Sequence, residues 1–273
     1  LFEFDIRKFI YEYESFDLNE AAKRQYYEDT KKGNAPSRSK FKKVERVWVY
    51  PDTLCWIRDF TYSFNEPYTN MYFWHPSYDN YPVVGVNWKQ ARAFTVWRTQ
   101  YLNEFLMKTG DGFVQDFRLP SEAEWEYASR GNLDLAMYPW GGMYTRNKQG
   151  WFLANFKPLR GNYVDDGGII TVAVGSYSPN EYGLYDMSGN VSEWTANAYD
   201  ESAFSFMHDL NPDYRYEALP DDPVSMKRKV IRGGSWKDIG YFLQNGTRSY
   251  EFQDSAKSYI GFRCVRSYLG SNN

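Results

Sequence analysis

Residues 230–250 read VIRGGSWKDIGYFLQNGTRSY, and the fold turns on them. Two adjacent glycines before a tryptophan make a shaped turn, because glycine enters backbone conformations closed to residues that carry a Cβ. Such a turn is the kind of place where a fold builds a site. Yet Lys237, Asp238, Ile239, Gly240, Tyr241, Phe242 and Leu243 follow it without a cysteine, a histidine or an obvious nucleophile. The stretch offers a scaffold and withholds the chemistry.

Upstream of the turn, back to Gly131, Gly, Asn and Asp punctuate short segments such as YPWGG (138–142), NYVDDGG (162–168) and SPNEYGLYDMSGN (178–190). That pattern predicts short strands and long structured loops with few helices. Two clearer helices precede it. Asn87 caps WKQARAFTVWRTQYLNEFLMK, where Trp88, Ala91, Phe94, Trp97, Tyr101 and Phe105 recur at three- and four-residue steps and Gly110 marks the end. In LPSEAEWEYASRGN, Ser121 and Glu124 form a capping box and Gly131 ends the helix. The aromatic stripes on both read as core rather than as a ligand cage.

The first 50 residues differ. Asp17 with Glu20 predicts a capped, exposed helix over NEAAKRQYYEDTKK. From Lys31 to Arg46 there are seven basic residues against one acid, Glu45. This reads as a solvated loop, the alternative being a docking segment for an acidic neighbour or a lipid headgroup surface. The economical architecture is α+β, with residues 1–79 an N-terminal extension packed on a domain of residues 80–273.

Composition narrows the class. Aromatic residues make up 20% of the 273, with 25 Tyr, 19 Phe and 10 Trp, which argues against disorder over most of the length. A mean hydropathy of −0.69 leaves many of those rings half exposed or in clefts. A net charge of −3 supplies no electrostatic attraction for nucleic acid. Cys55 and Cys264 fit no metal-ligand spacing and leave open a disulfide or two thiols. The longest apolar run, IITVAV at 169–174, is far short of a membrane span. The opening LFEFDIRKFI has no signal-peptide pattern and reads as mid-domain.

Tests for catalysis return little. The two histidines, His75 and His208, neighbour no nucleophile elbow, and Ser235 in GGSWK lacks the G-x-S-x-G setting. His75 reads as structural. With 35 Asp and Glu, a facing carboxylate pair for glycoside hydrolysis can be nominated anywhere and so carries no weight. GGSW and DDGGI lack the lysine of a phosphate-cradling loop. Calcium has better support: ANF (154–156) with DDGG (165–168), and GNVSEW (189–194), offer carboxylate, amide and carbonyl oxygens. Taken alone, such clusters are usually turn residues bonding their own backbone.

Seven ordered segments, PVVGVNWKQARAF, FRLPSEAEWEYASRG, YPWGG, ANF, VGSYSPNEYGLYDMSGNVSEW, VIRGGSW and GFRCVRS, resemble the formylglycine-generating enzyme (sulfatase-modifying factor) family over residues 80 to 267. The resemblance implies a C-type-lectin-like variant fold, low in regular structure, with two structural calcium ions. It implies an enzyme that oxidises a cysteine of a sulfatase peptide through two cysteines that bind copper, two and seven residues beyond the GGSW tryptophan. Here those positions are Asp238 and Leu243. Neither side chain supplies a thiolate, so no copper and no oxidase activity are expected. Cys264 matches a cysteine that the family uses structurally. Carried over residue by residue, one calcium set is Asn155 and Asp166 with the carbonyls of Phe156 and Gly168. The other is Asn190 and Glu193 with a carbonyl near Val191.

The stretch VWVYPDTLCWIRDFTYSFNEPYTNMYFWHPSYDNYPVVGVNWKQARAF, with the YEYESFDLNEAAK segment before it, is similar to the GldK/PorK lipoproteins of the type IX secretion and gliding-motility machinery. These are catalytically inactive relatives of the enzyme. The resemblance implies a lipoprotein on the periplasmic face of the outer membrane, self-associating in a ring with a GldN/PorN-type partner. The signal peptide, lipidated cysteine and opening strand of that family are missing from the sequence, which implies a truncated chain. Trp56, Tyr72, Phe73 and Trp74 would suit protein contacts as well as they suit a core. Two alternatives remain. One is an enzyme of altered chemistry that brings His75 and His208 to an iron site; the other is a calcium-stabilised module for glycan or peptidoglycan.

Overall fold

The computed structural model describes residues 5–33, 37–59, 70–159, 168–207, 210 and 212–268. It divides into two compact units, Leu1–Tyr50 and Pro51–Asn273. In the first, β1 (Ile10–Phe16), α1 (Leu18–Ala21), α2 (Arg24–Lys31) and β2 (Lys42–Trp48) follow in order, and the two strands pair antiparallel from Ile10↔Trp48 to Phe16↔Lys42. Asp17 Oδ1 accepts the Glu20 amide at 3.0 Å as an N-cap should. The box does not close, because Glu20 turns to Lys23 and the Asp17 amide donates to the Phe41 carbonyl. The single helix expected over residues 19–32 is therefore two.

The basic run is not simply a loop. Strand alternation places Lys42 on Glu14 at 2.5 Å and Arg46 on Glu12 at 2.6 Å, while Glu45 accepts the Tyr13 and Ser15 hydroxyls on the opposite face, each at 2.6 Å. All seven basic residues are exposed, as a solvated segment requires, and those from Lys42 to Arg46 lie on a strand with cross-strand partners.

The second unit runs α3 (Cys55–Asp59), α4 (Trp88–Thr109), β3 (Phe117–Arg118), α5 (Glu122–Arg130), β4 (Ser192–Ala198), α6 (Ala203–Phe206), β5 (Arg228–Arg232), β6 (Ser249–Phe252), β7 (Ile260–Gly261) and β8 (Val265–Arg266). A four-stranded sheet has the order β6-β5-β4-β7, antiparallel except for β4–β7, and β3 pairs with β8. Between α5 and β4 the described residues contain only an isolated bridge, Arg146↔Phe152. The content is mixed helix and strand, α+β, with little regular structure, as expected. No described helix is long and apolar enough to cross a membrane.

Helix boundaries follow local chemistry. Asn87 with Gln90 and Ser121 with Glu124 form closed capping boxes, and Gly110 ends α4 at φ 85°. The α4 stripe departs from its expected burial. Trp88 and Ala91 join Leu119, Trp194, Ile231 and Ile260 in the core, but Trp97 and Tyr101 are 43% and 63% exposed and stack on each other at 5.2 Å. Thr95 and Thr99 stay buried into the fourth turn on the side of Trp88, so α4 is covered along one face, and Trp97 and Tyr101 lie off it.

Cys55, Trp56 and Tyr72 share a core cluster with Val84, Val191 and Trp236. The division at Tyr50/Pro51 thus places the segment from Pro51 in the second unit, rather than with an extension ending at residue 79. Trp56 stacks on Trp236 at 6.0 Å and meets Tyr72 at 5.0 Å. Of the four aromatics weighed between core and interface, Trp56 and Tyr72 are core, Phe73 is half-buried and Trp74 is exposed.

Candidate functional site at the double-glycine turn

β5 ends at Arg232 and the chain reverses through Gly233 at φ 91° and Gly234 at φ 66°. A Cβ on Gly234 would fall 2.8 Å from the Phe242 carbonyl oxygen, so the close approach admits glycine alone. The Gly189 amide donates to the Gly233 carbonyl and the Trp236 amide to that of Asn190, each at 2.9 Å. Trp236 is buried and its indole donates to the Ser258 carbonyl at 3.2 Å.

Beyond the turn, the Ser235 hydroxyl donates to Asp238 Oδ2 at 2.6 Å and the Lys157 amide to the Asp238 carbonyl at 2.8 Å. Burial pushes the Asp238 carboxyl above its ordinary range, with the Ser235 bonds opposing. Asp238 has no ion-pair partner among the described residues. It borders a cavity of about 120 Å³ with Phe242, Thr247, Ser249, Tyr250 and Tyr259. Leu243 is 0% exposed and packs with Tyr138, Ala154 and Phe156. Of the two positions singled out in the sequence, one presents a carboxylate to the cavity and the other is part of an aliphatic and aromatic core.

The family model described as the sulfatase-modifying factor enzyme 1-like domain matches residues 23–268. The chain belongs to that family. It is 34% identical over 191 residues to "Inactive C-alpha-formylglycine-generating enzyme 2" of Bos taurus, covering 68% of this chain and 50% of the relative. It is 33% identical over 200 residues to "Formylglycine-generating enzyme" of Mus musculus, covering 70% and 45%. The chain spans about half the length of these curated relatives. Among solved structures, PvdO from Pseudomonas aeruginosa superposes with a TM-score of 0.51 at 25% identity, over 69% of this chain and 63% of that one. Membership alone does not decide activity, since the relatives' names include both active and inactive proteins.

The residues present do not fit copper. Both cysteines are free thiols, and neither occupies position 238 or 243. Burial pushes the Cys55 thiol up to about 12, and burial also raises Cys264. A thiol held protonated is a poor soft-metal ligand.

Calcium divides between the two expected sets. In the first, Asn155 is buried and its amide nitrogen donates to the Ile170 carbonyl at 2.7 Å. Its Oδ1 faces Gly168 so closely that a Cβ there would fall 2.5 Å away. One hard oxygen, Asn155 Oδ1, thus stands where the resemblance puts a calcium ligand, with the Val172 methyl beside it; the Phe156 and Gly168 carbonyls would complete the set, and Asp166 lies outside the described residues. The second set does not fit. Glu193 receives Arg263 Nε at 2.5 Å, Arg263 Nη2 at 2.6 Å and the Trp125 indole at 2.7 Å, so both of its oxygens are taken. Asn190 Oδ1 accepts the Val172 amide at 3.0 Å, and Val191 packs in the core. A guanidinium supplies the positive charge where an ion was expected.

His75 caps a short 3-10 turn, its Nδ1 accepting the Ser77 amide at 3.2 Å, which is a structural role. His208 lies outside the described residues, and with it the iron alternative. Sequence reading missed Tyr250 and Tyr259 as cavity walls and Arg263 as the partner of Glu193. No motif carries the first two. The third had a signal, since GFRC and SGNVSEW each hold one member of the pair.

Proposed function

We propose that this chain is a non-catalytic member of the formylglycine-generating enzyme family that works as a structural subunit of the type IX secretion and gliding machinery. In this reading it is a GldK/PorK-type lipoprotein on the periplasmic face of the outer membrane, self-associating in a ring with a GldN/PorN-type partner. The carrying observation is the pair Asp238 and Leu243. The first is a hard oxygen group and the second a fully buried aliphatic, so the thiolate pair needed for oxidation has no place to form. The exposed α4 stripe is in keeping with an assembly role, since rings of this kind anchor interfaces. The C-type-lectin-like variant architecture belongs to the same proposal.

Extraction of the native full-length protein from outer membranes in mild detergent, followed by imaging and mass spectrometry, tests it. Large rings with a stoichiometric partner are expected. A monomer without a partner overturns the reading.

Calcium enters as a structural ion at the Asn155 set only. Native mass spectrometry of the full-length protein in calcium is expected to show one ion, removed by chelation with a fall in melting temperature. Two tightly held ions would contradict the assignment of Arg263 as the cation beside Glu193.

A further inference from the structure

The hairpin of the first unit has two open edges, and their chemistry differs. The Val49 amide donates to the Phe9 carbonyl at 2.9 Å and the Asp17 amide to that of Phe41 at 2.8 Å, so in the β1–β2 register the odd-numbered residues bond across the pair. The amides and carbonyls of Ile10, Glu12, Glu14 and Phe16 on β1, and of Lys42, Val44 and Arg46 on β2, therefore point away from the neighbouring strand. The sheet has no third strand among the described residues. Open edges of this kind are templates for another chain. The side chains of the same residues share one face, on which Ile10, Phe16 and Val44 are each at least half exposed. Among its described hydrophobic residues the unit buries only Tyr13 and Phe41, and a two-stranded sheet is marginal alone.

We propose that the β1 edge of one copy of this chain pairs antiparallel with the β2 edge of the next, head to tail. Charge selects this pairing. β1 has two acids and no base, while β2 has Lys42, Lys43 and Arg46 against Glu45. Within the chain Glu12 takes Arg46 at 2.6 Å and Glu14 takes Lys42 at 2.5 Å. The same register across the new edge sets Glu12 opposite the partner's Arg46 and brings Glu14 to the partner's Lys42, an alternating row of acid and base. Pairing β1 with β1 fails, because every antiparallel register that matches three or more of its outward residues opposes two glutamates, and like charges directly opposite are destabilising. Pairing β2 with β2 gathers Lys42 and Arg46 on a face with no acid. The contact is therefore heterologous, and a repeated heterologous contact closes into a ring or runs on as a filament. It rests on the ring reading and names the joint between copies.

Proline isolates this joint from the rest of the fold. Glu14→Pro and Val44→Pro each remove an amide hydrogen that points outward, so the β1–β2 ladder keeps its bonds while one edge is closed. The full-length protein in mild detergent, freed of its partner, is followed by sedimentation velocity over a range of concentrations. The parent should form oligomers that grow with concentration, and each variant alone should associate at least about tenfold more weakly. An equimolar mixture is the decisive arm. The open β2 edge of Glu14→Pro fits the open β1 edge of Val44→Pro, so dimers and nothing larger should form, which also requires both hairpins to be folded. Should a proline disturb the hairpin, Glu12→Arg with Arg46→Glu in one chain keeps the internal pair; this double variant should assemble with itself and not mix with the parent. A monomeric parent, parent-like assembly of either proline variant, or free mixing of the double variant overturns the proposal. Rings that persist in both proline variants would leave the ring reading standing without this joint, and chains that form through it without closing would do the reverse.

Discussion

Replacing Arg232 by alanine is expected to destabilise the second unit by about 3–5 kcal/mol, the cost of breaking a buried ion-pair network by removing one partner. The side chain is 0% exposed. Its Nη2 donates to Glu126 at 2.5 Å and to the Asn245 carbonyl at 2.5 Å, and its Nη1 donates to the Thr247 carbonyl at 2.9 Å and lies 3.3 Å from Glu122. The truncation leaves a cavity and orphans carbonyls in the loop that follows the double-glycine turn. Arg248 remains on Glu122 and Arg130 on Glu126, so the carboxylates keep some compensation and the chain should still fold. For a unit of this size the melting temperature should fall by about 10 °C or somewhat more. Arg232→Lys keeps the charge but not the planar fork, and should lose an intermediate amount. Urea denaturation of the three proteins is the measurement. A loss below about 1 kcal/mol for the alanine variant would mean that the network is redundant.

That network shows where sequence reading stops. The helix caps were legible because each is closed within four residues: Asn87 with Gln90, and Ser121 with Glu124. The double-glycine turn was legible because only glycine accepts its dihedrals. Arg232, by contrast, reads as one charge at the end of a strand, and nothing local says that Glu122 and Glu126 on α5 will meet it more than 100 residues away. Within the basic run from Lys31 to Arg46, the strand from Lys42 went unread for the same reason, its acids lying on β1. The α4 stripe misled differently. Its steps are helical, but three successive three-residue steps carry Trp97 about 180° round the helix from Trp88, so the stripe winds off the covered face. At the site itself, counting from Trp236 identified Asp238 and Leu243. That one borders a cavity and the other packs in a core is a tertiary fact.

Lys229 carries the second large effect, and its signature is a slope with pH. The side chain is buried, with Nζ 3.8 Å from the Trp88 ring centroid and donating to the Tyr216 carbonyl at 2.6 Å. Burial pulls its ammonium down from 10.5 to about 8; Glu217 opposes this, while Arg92, Lys89 and Arg215 add to it. Between those two values the unfolded chain holds this proton and the folded chain has released it, so stability contributed by this group rises with pH across that window. Below pH 8 both states are protonated and the folded state bears the full penalty of a buried charge. The displacement corresponds to about 3 kcal/mol. Lys229→Met keeps the volume, removes the charge and forfeits the hydrogen bond to Tyr216, a loss of about 1 kcal/mol that does not vary with pH. The methionine variant should therefore exceed the parent by roughly 2 kcal/mol at pH 7 and lose that advantage as the pH approaches 10.5. Other lysines and tyrosines titrate in this range, but they are common to both proteins and cancel in the difference. Stability curves that run parallel from pH 7 to 10.5 would show that Lys229 is solvated or ion-paired in the folded state. In that case the contact with Trp88 is a surface stacking, and the link it makes between β5 and α4 contributes little to holding the core together.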